Sequence, residues 1–135
     1  MNSRSTVLYV DDNPKARRLL SAVLQQNNFE VITAEGSTEA IALINNAWFD
    51  LALVDYGLPG MTGAQLAQEI RGHEPGMPIV LISGLKSIPK GELTYVDAYC
   101  GEGTTLDNLV ETMHALVRSQ GVPFGGAQSA YVDAT

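Results

Sequence analysis

The chain has 135 residues, 45% of them hydrophobic, which suffices for one domain with a proper core and is too short for two. A formal charge of −7 argues against nucleic-acid binding by this chain, since a phosphate backbone is held by surplus Lys and Arg. No apolar run approaches the roughly 18 residues of a membrane span, the start Met1-Asn2-Ser3-Arg4-Ser5 lacks the apolar core of a signal peptide, and the single Cys100 cannot close an internal disulfide; the reading is a soluble, cytoplasmic protein.

Thr6-Val7-Leu8-Tyr9-Val10 reads as a buried strand that ends in Asp11-Asp12. Asn13 can cap a helix and Pro14 suits its first position; Ala16, Leu19, Leu20, Val23 and Leu24 follow helical spacing and define its apolar face. The helix should end near Asn27-Asn28. Phe29 to Ala34 reads as a second strand, and Ser37 opens a second helix with Ala40, Ile41, Leu43, Ile44 and Ala47 inward. The run Leu51-Ala52-Leu53-Val54 then ends abruptly in Asp55, followed by the turn residues Tyr56-Gly57-Leu58-Pro59-Gly60. Thr62 and Gln65 have capping-box spacing, and Leu66, Ala67 and Ile70 face inward from a third helix that stops before Pro75.

Pro78 to Ile82 reads as a fourth strand ending in Ser83-Gly84. From Leu85 to Tyr95 the alternation weakens, because Pro89 and Gly91 sit where a fourth helix belongs and an interior Pro costs about 3 kcal/mol; a short or irregular helix, or none, is expected. Val96 to Cys100 reads as a fifth strand. Thr104 or Thr105 caps a last helix with Leu106, Leu109, Val110, Met113, Leu116 and Val117 inward. His73 and His114 have no sequence neighbours that would make a metal cluster and are expected on exposed helix faces. Periodicity is lost beyond Ser119, so a domain over residues 1–119 with a flexible tail or linker over 120–135 is expected.

Five alternations of strand and helix mean a doubly wound parallel sheet with helices on both faces. In such sheets ligands bind at the carboxyl ends of the strands. Asp11, Asp12 and Asp55 all fall at that edge, and clustered carboxylates repel unless a hard cation such as Mg²⁺ takes them as oxygen ligands. A calcium loop counted from Asp11 fails, with Ala16 where Gly is required and Ala22 where Glu is required.

These features together resemble the receiver domain of two-component response regulators: an acidic pair after the first strand, Asp55 followed by Leu58-Pro59-Gly60-Met61-Thr62-Gly63, a hydroxyl residue ending the fourth strand, and an aromatic in the fifth. The resemblance spans residues 5 to about 118 and implies a flavodoxin-like α/β fold with strand order 2-1-3-4-5. It implies that Asp55 takes a phosphoryl group from a histidine kinase or histidine phosphotransfer protein, in a phosphorelay that ends in a downstream output protein or linked output domain. Asp12, Asp55 and the Gly57 carbonyl would hold Mg²⁺, with Asp11 acting through water. Ser83 would donate a hydrogen bond to the phosphoryl group, and Tyr99 would be the switch aromatic. No turnover on small substrates is expected.

One position departs from the family. Where the family carries a phosphate-pairing Lys after the fifth strand, alignment puts Glu102. A like-charge pair at about 4 Å costs about 4 kcal/mol at an effective dielectric near 20, so a Glu102 carboxylate facing the site would oppose phosphoryl binding. Either Glu102 points to solvent, or Lys86 or Lys90 supplies the cation. The alternative function is a degenerate receiver that serves as an interaction module without a phosphorylation cycle.

Overall fold

The computed structural model describes residues 4–119 and 130–132. The strands are β1 (Ser5–Val10), β2 (Phe29–Ala34), β3 (Leu51–Asp55), β4 (Ile79–Ile82), β5 (Ala98–Cys100) and β6 (Ala130–Val132); the helices are α1 (Pro14–Gln26), α2 (Ser37–Asn46), α3 (Gly63–His73) and α4 (Leu106–Arg118). All strand pairs are parallel, in the order β2-β1-β3-β4-β5-β6, so the anticipated 2-1-3-4-5 sheet is present with a three-residue strand added beside β5. Apart from residues 130–132, the tail expected over 120–135 lies outside the described residues.

Strand alternation sorts the core into two layers. Leu8, Val10, Ala52, Val54, Ile79 and Leu81 pack with Ala40 and Ile44 of α2 and Leu66, Ala67 and Ile70 of α3. Val7, Tyr9, Leu51, Leu53, Val80 and Ala98 pack on the other face with Leu24 of α1 and Leu109 and Met113 of α4. The central strands β1, β3 and β4 are therefore covered on both sides, which is why their sequences read as nearly continuous apolar runs.

The helix starts follow their local chemistry. Asn13 accepts from the N–H groups of Lys15 and Ala16, Thr62 and Gln65 form a complete capping box, and Thr105, rather than Thr104, caps α4 by accepting from Asn108 N–H. The fourth connection holds only a 3-10 turn, Lys90–Leu93, as Pro89 and Gly91 lead one to expect.

Several expectations need correction. Leu19 and Leu106 are exposed, at 62% and 51% of their surface, and Ala47, also expected inward, is exposed at the C-cap of α2. The inward stripe of α1 runs through Leu20, Val23 and Leu24 and is centred about 100° round from Leu19, and Leu106 is the first residue of α4, a turn before its first buried residue, Leu109. β4 begins at Ile79 rather than Pro78, and β5 begins at Ala98 rather than Val96. Asp97 bends out of the strand to accept from Ile79 N–H (2.8 Å) and from Arg71 Nη2 (2.7 Å). His114 is not a bare surface residue: its ring stacks on buried Phe29, centroids 4.2 Å apart, and its Nε2 lies 2.9 Å from the Asn27 carbonyl oxygen. His73 is exposed, as expected.

Candidate phosphoacceptor and metal site

Register brings the acidic residues together. Val10 of β1 pairs with Val54 of β3, so Asp11 and Asp55 leave adjacent strands at one level of the sheet. Asp12 follows in the same turn. Each of Asp11, Asp12 and Asp55 presents a carboxylate oxygen within 4.8 Å of the other two, with Asp11 buried, Asp55 half-buried and Asp12 exposed. Among the described residues no ion pair reaches any of the three. An all-oxygen donor set with surplus negative charge fits a hard divalent cation.

The cost of clustering is visible at Asp55, whose pKa is pushed from its ordinary 3.8 up to about 6 by burial and by the Asp11 carboxylate, with a smaller push from Asp12. The backbone amides of Gly57 and Tyr56 pull it back down. In that window the folded, metal-free domain holds a proton that the unfolded chain has released. The stability from this group is complete below the ordinary carboxylate range and is lost as pH rises to about 6. Because Asp55 is half-exposed, solvent screening keeps the loss to about 1–2 kcal/mol. Saturating Mg²⁺ is therefore expected to raise the unfolding midpoint more at pH about 7.5 than at pH about 5, where protons compete for the same carboxylate. A gain equal at both values would contradict the assignment of the charge to Asp55.

The neighbouring strand ends complete the edge. Ile82 pairs with Cys100, which sets Ser83 level with Gly101. Ser83 Oγ accepts from Leu85 N–H (2.9 Å), leaving the hydroxyl proton to be donated elsewhere. Tyr99 is buried at 1% exposure in the layer with α2 and α3, and its hydroxyl donates to the Leu85 carbonyl oxygen (2.7 Å). Glu102 is exposed, and its N–H donates to the same carbonyl (2.8 Å). Gly101 makes this close crossing feasible: a Cβ there would lie 2.6 Å from the Leu85 carbonyl oxygen and 2.8 Å from that of Lys86. The stretch from Ser83 to Lys86 thus lies directly across the end of β5. Lys86 and Lys90 are both exposed.

Two neighbours of the site escaped the sequence reading. Tyr9 donates its hydroxyl to Asp11 Oδ2 at 2.8 Å from inside the core. The signal was available, since residues i and i+2 of a strand share a face. Gly63, the first residue of α3, lies against the Asp55 carbonyl, where a Cβ would approach to 2.4 Å. Only the three-dimensional packing reveals that contact.

The sequence profile of the response regulator receiver domain matches residues 7–96. The chain belongs to the response regulator receiver family. This receiver is 36% identical over 83 residues to the transcriptional regulatory protein GlrR of Escherichia coli K12, an alignment covering 62% of this chain and 19% of GlrR. The chain spans 51% of the length of the probable transcriptional regulatory protein TcrX of Mycobacterium tuberculosis and 9% of that of the sensor protein GacS of Pseudomonas syringae. Its fold matches a CheY-like receiver domain from Methanospirillum hungatei JF-1 with a TM-score of 0.81 and 28% identity, covering 88% of this chain and 98% of that one. It also matches the response regulator TrrA from Thermotoga maritima in complex with Mg²⁺-BeF, with a TM-score of 0.78, 30% identity, and coverage of 83% and 98%. TrrA has in addition been solved in complex with the histidine kinase ThkA. Receiver domains generally bind Mg²⁺ at an acidic pocket and interact with histidine kinases, and this receiver has such a pocket. Among the described residues, no helix is long and apolar enough to cross a membrane.

Proposed function

We propose that this receiver, acting in the cytoplasm, accepts a phosphoryl group on Asp55 from a phosphohistidine of a histidine kinase or histidine phosphotransfer protein and passes the signal to an output protein or a linked output domain. The observation that carries this reading is the convergence of three carboxylates on the strand-end edge with no cationic side chain paired to them among the described residues. Asp12, Asp55 and the Gly57 carbonyl would hold Mg²⁺, with Asp11 reaching it through water. The cation would neutralise charge on the Asp55 carboxylate and on the phosphoryl oxygens. An Asp55 oxygen attacks phosphorus, the P–N bond to the imidazole breaks, and the imidazole leaves with the bonding pair. Ser83 donates its hydroxyl proton to a phosphoryl oxygen, and Tyr99, with its hydroxyl on the Leu85 carbonyl, couples that event to the connection after β4.

Lys86 supplies the cation that Glu102 cannot. Supporting this are the exposed position of Glu102 and the crossing of the Lys86 backbone over Gly101, at the end of β5 where the family Lys departs. Lys90 belongs instead to the 3-10 turn beside α3. Beryllofluoride titration in Mg²⁺, followed by NMR, tests the assignment. Lys86→Ala is expected to weaken binding about tenfold, the loss of one charge-assisted hydrogen bond, whereas Glu102→Lys should change it about threefold or less because that side chain lies in solvent. A tenfold gain from Glu102→Lys with no loss from Lys86→Ala would place Glu102 in the pocket. Failure of the wild-type chain to bind beryllofluoride, with Mg²⁺ bound, would favour the degenerate receiver.

A further inference from the structure

The Asp11 carboxylate is held at both oxygens by the protein itself. Tyr9 and Asp11 project from the same face of the β1 chain, and Tyr9, 1% exposed among Leu24, Phe29 and Leu53, donates its hydroxyl to Asp11 Oδ2 at 2.8 Å. Asn13 N–H donates to Oδ1 at 2.9 Å, and Arg17 Nη1 donates to the Asp11 carbonyl oxygen at 2.7 Å. A carboxylate gripped at both oxygens is not free to turn and present the pair to a cation; each oxygen keeps one lone pair, to offer directly or through water.

That restriction discriminates between cations. Mg²⁺ requires near-octahedral geometry and retains several waters, so a carboxylate that leaves room for water suits it. Ca²⁺ takes six to eight oxygens and gains from flexible bidentate carboxylates, which the grip denies it. We propose that Tyr9 is a positioning residue that sets the metal preference of this site, holding Asp11 in an arrangement that favours Mg²⁺ over Ca²⁺. The proposal rests on the metal-site reading given above.

Separate calorimetric titrations of the full chain with Mg²⁺ and with Ca²⁺, for wild type and Tyr9→Phe, test it. The substitution removes one hydroxyl and keeps the ring. The ratio of the Ca²⁺ to the Mg²⁺ dissociation constant is expected to fall about fivefold or more in Tyr9→Phe, chiefly through tighter Ca²⁺ binding by the released carboxylate. A merely structural role would weaken both cations alike and leave the ratio within about twofold, which would overturn the proposal. Should Tyr9→Phe not fold, Asn13→Pro releases the other oxygen. Asn13 has φ of −86°, close to what Pro adopts, and the same fall in the ratio is expected. A wild-type chain that binds neither cation would overturn the metal-site reading and the proposal with it; one that binds both, with an unaltered ratio in the variants, would overturn the proposal alone.

Discussion

Arg71→Ala is expected to destabilise the domain by about 3–5 kcal/mol, the cost of breaking a buried ion pair and stranding its partner. Arg71 sits near the end of α3 with its side chain 9% exposed, and Nη2 lies 2.7 Å from Oδ2 of Asp97, whose side chain is 19% exposed. The same guanidinium donates to the carbonyls of Pro75, Met77 and Tyr95. One side chain therefore ties α3 to the turn before β4 and to the residues before β5. Its loss leaves the Asp97 carboxylate with the Ile79 N–H and uncovers several carbonyls at once. Chemical denaturation should report the loss as a lower midpoint with an unchanged slope. Arg71→Ala combined with Asp97→Ala should cost clearly less than the sum of the single changes, because the two residues share one interaction. A single-variant loss below about 1 kcal/mol would mean that the pair behaves as a surface salt bridge.

Gly63→Ala should damage the site as well as the fold. The added Cβ would lie 2.4 Å from the Asp55 carbonyl oxygen, 2.8 Å from the Tyr56 Cα and 2.8 Å from Leu81 Cδ1. Two of these are backbone atoms of the turn at Asp55 and cannot swing away. Gly63 N–H also donates to the Tyr56 carbonyl oxygen at 2.8 Å, so α3 and the turn must part or shift together. Overpacking of this kind costs about 1–3 kcal/mol, and a displaced Asp55 should weaken Mg²⁺ binding about tenfold. Gly72→Ala is the control in the same helix. A Cβ at Gly72 meets nothing within 4 Å, so this variant should match or exceed wild-type stability and bind Mg²⁺ normally. Equal Mg²⁺ affinity in the two variants would show that the contact beneath Asp55 is not what positions it.

Much of this architecture was legible because its determinants are local. The polar residues that end β1, β3 and β4 mark the ligand edge in the sequence itself, and the Asn13 and Thr62 caps follow from side-chain chemistry within three residues. Other features depend on contacts that no spacing encodes. Apolar periodicity assigned Leu19 and Leu106 inward because it cannot fix where an apolar face ends, at its side in α1 or in its first turn in α4. Asp97 looks like strand sequence until Arg71 arrives from 26 residues away to pull it aside. At the site, the sequence exposed the charge problem at Glu102 but could not say where that side chain points. The structure places it in solvent and brings the Lys86 backbone across Gly101. The grip on Asp11 lay between these cases, with the shared strand face readable and the hydrogen bond not.

Phosphoryl transfer to Asp55 is tested most directly by mapping the phosphorylated residue after incubation with Mg²⁺ and acetyl phosphate. One acid-stable, base-labile acyl phosphate is expected on Asp55, absent from Asp55→Asn and absent when Mg²⁺ is chelated. A wild-type chain that binds Mg²⁺ yet acquires no such group, or Asp55→Asn labelled to the wild-type level, would contradict it.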